Sequence, residues 1–204
     1  MNKKVKKILW IVGLVLALAL IGVWIYFGTA SPDKYSYEGY IVATRKSGGD
    51  TVITTISGDT KNEFTLKWYT KKNFSGALNE LKEGAFIKLN TTGKGSSNIR
   101  NFSAYEGFSM EGKVVYFEGK AEPYILTIGK TVKYYMLYAM IPSQDVDYQL
   151  ETGTQIKAYY QYPLNASTEK VVVDVIEKTS DILSPLTEEE IAYIGRMGCK
   201  VAGK

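Results

Sequence analysis

The 204-residue sequence contains no histidine and a single cysteine, Cys199. Without histidine, the chain lacks the commonest general base, the usual activator of serine and cysteine nucleophiles and the commonest metal ligand. One cysteine excludes an intramolecular disulfide and a cysteine-based metal cluster. Cys199 is therefore either an incidental thiol or one half of an intermolecular disulfide. We expect a protein that is not an enzyme and that carries no metal and no cofactor.

An excess of positive charge is also missing from most of the chain. The formal net charge is +4, from 25 Lys+Arg and 21 Asp+Glu. Removing the four lysines near the N-terminus leaves 21 basic against 21 acidic residues, a neutral remainder; these lysines are Lys3, Lys4, Lys6 and Lys7. A surface that tracks phosphates needs net positive charge. Nucleic acid is accordingly disfavoured as a partner.

Long uncharged runs are limited to one segment, residues 8–27, which reads ILWIVGLVLALALIGVWIYF. A helix of about 20 residues crosses the ~30 Å hydrocarbon core of a bilayer. The basic residues before it predict a cytoplasmic N-terminus and an extracytoplasmic remainder. We expect an uncleaved single-pass anchor in contact with the lipid bilayer at residues 8–28, within a first segment of residues 1–30. The alternative is a signal peptide cleaved near Gly28–Thr29–Ala30, which exports the remainder equally.

Four asparagines stand in N-x-[ST] sequons, more than serine and threonine frequency alone suggests. If the source glycosylates exported proteins, they are candidate sites; otherwise the sequons are accidents of a β surface rich in serine and threonine. The four are Asn73, Asn90, Asn101 and Asn165.

After Tyr35 the sequence runs twice through one pattern of five short β runs separated by glycine-containing turns. Equivalent positions are about 70 residues apart, as expected of an internal repeat. The spacing Leu-x-x-Gly-x-x-Ile recurs at residues 81–87 and 150–156, before the fourth run of each copy. Aromatic and β-branched runs bounded by such turns are typical of small β-barrels.

Each copy resembles an OB-fold, a small five-stranded Greek-key barrel, chiefly through this Leu-x-x-Gly-x-x-Ile spacing. The resemblance covers residues 36–178 and implies no particular ligand. The predicted fold is mainly β: an N-terminal transmembrane helix, two OB-fold-like β-barrels and a short C-terminal helix. The predicted divisions are residues 36–106, 109–180 and 184–204. One larger β-sandwich, or an unrelated pair of barrels, is the alternative.

Local patterns predict several details of this fold. Alternation directs Phe64, Leu66 and Trp68 inward from one strand. Residues 132–141 are apolar on both faces, which predicts that this strand also packs on the first copy or on a partner chain. Residues 74–81 could form a short helix.

The C-terminal segment carries a helix start signal. Thr187 and Glu190 have the spacing of a capping box, and Leu186 and Ile191 that of a hydrophobic staple. This predicts a helix from about residue 188 to 197, with Ile191, Ile194 and Met197 forming its apolar stripe.

Two polar segments superficially suggest ligand chemistry. Residues 92–97 lack the glycine, lysine and serine spacing of a phosphate-binding loop, so we expect a flexible loop. Asp145, Asp147 and Glu151 lack the spacing of a known calcium loop, so we expect a solvated acidic segment.

Aromatic residues between the β runs are the remaining candidates for binding. Trp68, Tyr69 and Tyr135 could stack on sugars, although aromatics at strand spacing more often form core. We expect a membrane-anchored scaffold that docks other envelope proteins or self-associates. The alternative is a module binding glycans or another envelope polymer; an unrecognised enzyme and a protein handling exported DNA are weaker alternatives.

Overall fold

The computed structural model describes residues 35–71, 74, 77–128, 135–143, 150–165 and 168–203. Within these ranges, no helix has the length and apolar character needed to cross a bilayer. The anchor predicted at residues 8–28 lies outside them. The prediction of a mainly β chain is confirmed, because strands forming two sheets dominate the described residues.

The first sheet is built from five consecutive strands. They are β1 (Ser36–Ser47), β2 (Asp50–Ser57), β3 (Thr60–Leu66), β4 (Phe86–Thr91) and β5 (Ile99–Tyr105). Their order is β3-β2-β1-β4-β5, and all neighbours are antiparallel. The outer strands meet at a parallel bridge between Thr65 and Asn98, beside which the Thr65 N–H donates to the Ser97 carbonyl at 2.7 Å. Helix α1 (Trp68–Lys71) and a 3-10 helix (Ala77–Glu80) follow β3.

The second sheet has six strands. They are β6 (Phe108–Val115), β7 (Tyr124–Ile128), β8 (Tyr135–Pro142), β9 (Gln155–Tyr160), β10 (Lys170–Val173) and β11 (Val175–Lys178). Their order is β10-β8-β7-β6-β9-β11, with β10 parallel to β8 and the other neighbours antiparallel. Only Asp174 separates β10 from β11. The chain therefore joins the two edges of this sheet directly.

Period-two alternation explains why these segments form strands with one buried face. In β3, Phe64 and Leu66 are buried and Thr65 between them is half-buried. Each sheet surrounds its own apolar cluster. Fully buried members are Ile41, Ile53 and Ile87 in the first cluster and Val114, Ile125 and Ile156 in the second.

Helix α2 (Glu188–Arg196) confirms the predicted C-terminal helix and its capping box. The Thr187 hydroxyl accepts from the Glu190 N–H at 3.2 Å, and the Glu190 carboxylate accepts from the Thr187 N–H at 2.7 Å. The predicted apolar stripe is wrong at two of its three positions, since Ile194 is buried but Ile191 and Met197 are exposed. The reason is that α2 contacts the second sheet through a different face from the predicted one. Glu190, one turn before Ile194, is buried on that face and pairs with Lys113 at 2.9 Å.

The strand that is apolar on both faces is covered by this same C-terminal segment. Met140 on β8 belongs to the core of the second sheet. Tyr135 and Leu137 on its opposite face pack in a cluster with Leu186 and Ile194. The sequence prediction of cover by the first copy or a partner chain is therefore corrected: a later segment of the chain supplies it. Residues 132–134 lie outside the described part.

Two other local predictions need correction. Strand β3 ends at Leu66, and Trp68 starts α1 instead of pointing inward. The physical reason is that the Trp68 N–H donates to the Asp50 carboxylate at 2.9 Å, which fixes the turn that opens α1. The short helix predicted over residues 74–81 is reduced to the 3-10 turn at Ala77–Glu80, the intervening residues 75 and 76 being outside the described part.

Candidate functional site

An exposed aromatic pair lies where β3 gives way to α1. Trp68 is 57% and Tyr69 60% exposed. Their ring centroids are 5.9 Å apart and their planes meet at 81°, an edge-to-face arrangement. Large aromatic side chains in such open positions are available to a binding partner.

Asp50, at the start of β2, holds this pair in place. Its Oδ1 accepts from the Trp68 N–H at 2.9 Å, and its Oδ2 pairs with Lys67 Nζ at 3.1 Å. Two hydrogen bonds hold the pKa of Asp50 below its usual value: the larger effect comes from the Trp68 N–H and the smaller from Lys67. Lys71 Nζ adds a hydrogen bond to the Gly49 carbonyl at 2.6 Å. The turn from β1 to β2 and the helix α1 are thereby tied together.

The third predicted aromatic residue, Tyr135, lies on the other sheet. It is half-buried at the start of β8, and its ring centroid is 5.5 Å from that of Tyr193 on α2. It belongs to the cluster that docks the C-terminal segment. Thus the structure brings Trp68 and Tyr69 together and assigns Tyr135 to packing.

The candidate glycosylation sites occupy different environments. Asn90 on β4 and Asn101 on β5 are cross-strand neighbours, and Asn90 Nδ2 donates to Asn101 Oδ1 at 2.9 Å. Asn90 is half-buried and Asn101 exposed, while Asn165 is exposed in the segment between β9 and β10. Asn73 lies outside the described residues.

Sequence reasoning missed the polar junction between the two sheets. Tyr40 on β1 donates its hydroxyl proton to the carboxylate of Asp174, and its ring centroid is 5.5 Å from that of Tyr159 on β9. The Tyr159 hydroxyl donates to Glu177 at 2.9 Å, and Lys61 Nζ reaches the same carboxylate at 2.5 Å. The pKa of both tyrosines is raised above the usual range. Burial is the larger cause, and the hydrogen bonds to the Asp174 and Glu177 carboxylates add to it.

A second junction element is Lys157 on β9, whose ammonium pairs with Glu83 of the β3–β4 connection and with Glu111 on β6 at 3.4 Å. Burial opposes the charged form, but the hydrogen bond and charge of Glu83 outweigh it and raise the pKa of Lys157. These residues also line an open cleft of about 590 Å³. Nothing in the local sequence singles out Glu83 or Lys157, because their partners are far away in the chain.

The two polar segments supply no metal site in the described part of the chain, although residues 94–97 line an open cleft beside β3. Residues 92–97 connect β4 to β5 as the predicted loop, closed by a Ser96 N–H to Gly93 carbonyl bond of 3.0 Å. Among described residues, no group of three or more cysteine, aspartate or glutamate side chains is placed to hold a metal ion. Asp145 and Asp147 are outside those residues.

In comparisons with known proteins, no protein-family model matches the chain and no curated protein matches it significantly.

Proposed function

We propose that this chain is a membrane-tethered binding protein of the cell envelope, acting by docking a protein partner and not by catalysis. The single observation that supports it best is the exposed Trp68–Tyr69 pair, held by Asp50 at one end of the first sheet. Aromatic residues fixed on a rigid support are the usual anchors of protein interfaces. The absence of histidine, and the single cysteine, favour binding over chemistry.

The platform that displays the pair is, in this proposal, two OB-fold-like barrels spanning residues 36–106 and 109–180. The strand orders support it. In each unit the first strand pairs with both the second and the fourth, and the third strand meets the fifth in parallel. The Tyr40–Asp174 and Lys61–Glu177 contacts then join the units into one support.

The geometry of β1 supports a docking surface remote from the membrane. If residues 8–28 form the anchor, residues 29–34 span at most about 20 Å, so the Ser36 end of β1 lies near the bilayer. Strand β1 is 12 residues long, which corresponds to roughly 40 Å if straight. Trp68 packs beside Gly49, just past the other end of that strand. With β1 directed away from the bilayer, this arrangement places the aromatic pair at the end of the first sheet remote from the lipid surface.

A protein partner is favoured over a glycan because the two rings are nearly perpendicular. A sugar-stacking platform presents one flat aromatic face, which two rings meeting at 81° do not form. An edge-to-face pair that projects from the surface fits a pocket on another protein.

Site-specific photo-crosslinking in cells producing the full chain tests the docking surface. The crosslinking amino acid p-benzoylphenylalanine replaces Tyr69. In the matched control it replaces Tyr162, which is 74% exposed in the segment that follows β9. We expect a discrete crosslinked protein from position 69 only, lost on Trp68→Ala. Equal products from both positions, or none, would contradict the proposal. Binding of the full chain to arrayed glycans that is lost in Trp68→Ala would instead support the glycan alternative.

The membrane topology has its own test. In a Cys199→Ser background, Ile182→Cys places a thiol at a position that is 79% exposed in the native chain. A membrane-impermeant maleimide added to intact cells is expected to label it. Labelling only after lysis would contradict the extracytoplasmic location, and release of the protein by high salt without detergent would contradict the anchor.

A further inference from the structure

The cleft of about 590 Å³ lies where the first sheet's β3–β4 connection approaches β6, β7, β8 and β9 of the second sheet. Its volume falls within the range of small-molecule sites, about 300–1,000 Å³. It is separate from the Trp68–Tyr69 surface, since neither of those residues lines it.

The floor of the cleft is made of tyrosine and methionine. Met110, Tyr138 and Tyr160 are buried, and Met136 is half-buried beside them. The Tyr138 hydroxyl is 3.2 Å from the sulfur of Met136. Thioethers adapt to the shape of an apolar ligand, and aromatic rings attract a cation as well as an apolar body. Such a floor suits an apolar or aromatic group larger than a methyl.

The rim of the cleft is acidic. Its charged residues are Glu83, Glu111 and Lys157, so two carboxylates face one ammonium. The Lys157 side chain is only 13% exposed and lies between the two, whereas the Glu111 side chain is 72% exposed. The Glu111 carboxylate is thus the more accessible of the two acidic groups. Because two carboxylates share one ammonium, the rim carries a net charge of −1 beside the apolar floor.

We propose that this cleft binds a small organic cation with an apolar body. The body lies on the Met110, Tyr138 and Tyr160 floor, and the cationic group pairs with Glu111. Both sheets are needed, because Glu83 shares the Lys157 ammonium with Glu111, and the Glu111 carboxylate then has capacity for the incoming cation. This site is independent of the docking function proposed above.

Methyl NMR on the full chain in detergent micelles tests the proposal. The five methionines carry ¹³C-labelled methyl groups, and the probe is phenethylamine, compared with neutral 2-phenylethanol and anionic phenylacetate. We expect saturable shifts of the Met110 and Met136 signals with phenethylamine and much weaker shifts with the other two. Met197, which is exposed on the C-terminal segment, provides an internal reference for probe partitioning into the micelle.

A charge variant separates specific pairing from adsorption. Glu111→Gln is expected to weaken phenethylamine binding roughly two- to fivefold, the effect of removing one partner of an exposed charge pair. Glu188→Gln, an exposed carboxylate on α2, is the matched control and should leave binding unchanged. The proposal is overturned if phenethylamine produces no saturable shift at Met110 and Met136, if phenylacetate binds equally well, or if the two variants behave alike.

Discussion

Tyr40 and Asp174 are 134 positions apart in the chain, and the hydroxyl of one donates to the carboxylate of the other. Tyr40 lies in the middle of β1, and Asp174 is the residue between β10 and β11. The contact therefore ties the central strand of the first sheet to the point where the second sheet is joined edge to edge. Around it, Ile56, Tyr159 and Val175 form the apolar cluster between the sheets.

Tyr40→Phe is expected to destabilise the folded chain by about 1–2 kcal/mol, because the carboxylate of Asp174 loses its donor in a partly buried position. For a chain of this size, that corresponds to a melting temperature lower by roughly 2–8 °C. Thermal unfolding followed by circular dichroism measures it. Tyr162→Phe, at an exposed position, is the control. Equal melting temperatures for the two variants would show that the junction does not depend on this hydrogen bond.

Gly112 on β6 is required for the close approach of its neighbouring strand. A Cβ at this position would lie 2.5 Å from the Leu126 carbonyl oxygen and 2.7 Å from an Ile125 methyl. Gly112→Ala is therefore expected to cost about 1–3 kcal/mol through forced backbone movement. Gly93→Ala is the matched control, since a Cβ there meets nothing within 4 Å. Comparable denaturation midpoints would contradict this explanation.

The buried ion pair between Lys113 and Glu190 is expected to hold α2 on the second sheet. Lys113→Met leaves Glu190, which is 6% exposed, without its cation, and loss of one partner of a buried pair is strongly destabilising. We expect faster amide hydrogen exchange in α2 and faster reaction of the half-buried Cys199 with a thiol reagent. Lys120→Met, at an exposed position, should change neither rate; equal rates in both variants would contradict the role of the pair.

Acid is expected to loosen the aromatic pair. The folded-state pKa of Asp50 is depressed by the Trp68 N–H and by Lys67, so its stabilising effect is present above the unfolded pKa and lost as pH falls through the folded pKa. The change therefore occurs below pH ~4, the ordinary aspartate value. In a Trp10→Phe, Trp24→Phe background, Trp68 fluorescence should shift there. Asp50→Asn should abolish the transition; an unchanged transition would exclude Asp50 as its cause.

In a host that glycosylates sequons, we expect a glycan on Asn90 to exclude one on Asn101, and the reverse. Asn90 Nδ2, the atom that would carry a glycan, donates to Asn101 Oδ1 across adjacent strands, so a glycan on either side chain would crowd the other. We expect mass spectrometry of the intact protein to show at most one glycan shared by these positions, while Asn165 is modified independently. A species carrying glycans at both Asn90 and Asn101 would contradict the native pairing of β4 with β5.

The strand content and the C-terminal helix were predictable because their signals are local. Alternation places Phe64 and Leu66 on one face of β3 within three residues. The capping box joins Thr187 to Glu190 within one helical turn. Hydrogen bonding and burial over such short distances depend little on the rest of the fold.

The candidate site was only partly predictable. Trp68 and Tyr69 are exposed, as a binding role requires. The sequence prediction that Trp68 points inward was wrong, because it continued the alternation of β3 two residues beyond Leu66, where the strand ends. Asp50, which ends that alternation, precedes Trp68 by 18 positions. Tyr135 was grouped with the other two by residue type alone, and its packing against Tyr193 depends on where α2 docks.

By itself, then, the sequence determined the mainly β character and the capped helix, each through contacts between neighbours in the chain. The tertiary structure decided which face of β8 the C-terminal segment covers, where Trp68 turns outward, and how Tyr40 meets Asp174. These outcomes depend on pairing between strands far apart in the chain. Local residue patterns leave such pairing open, because an apolar face can be buried equally well by any apolar surface that reaches it.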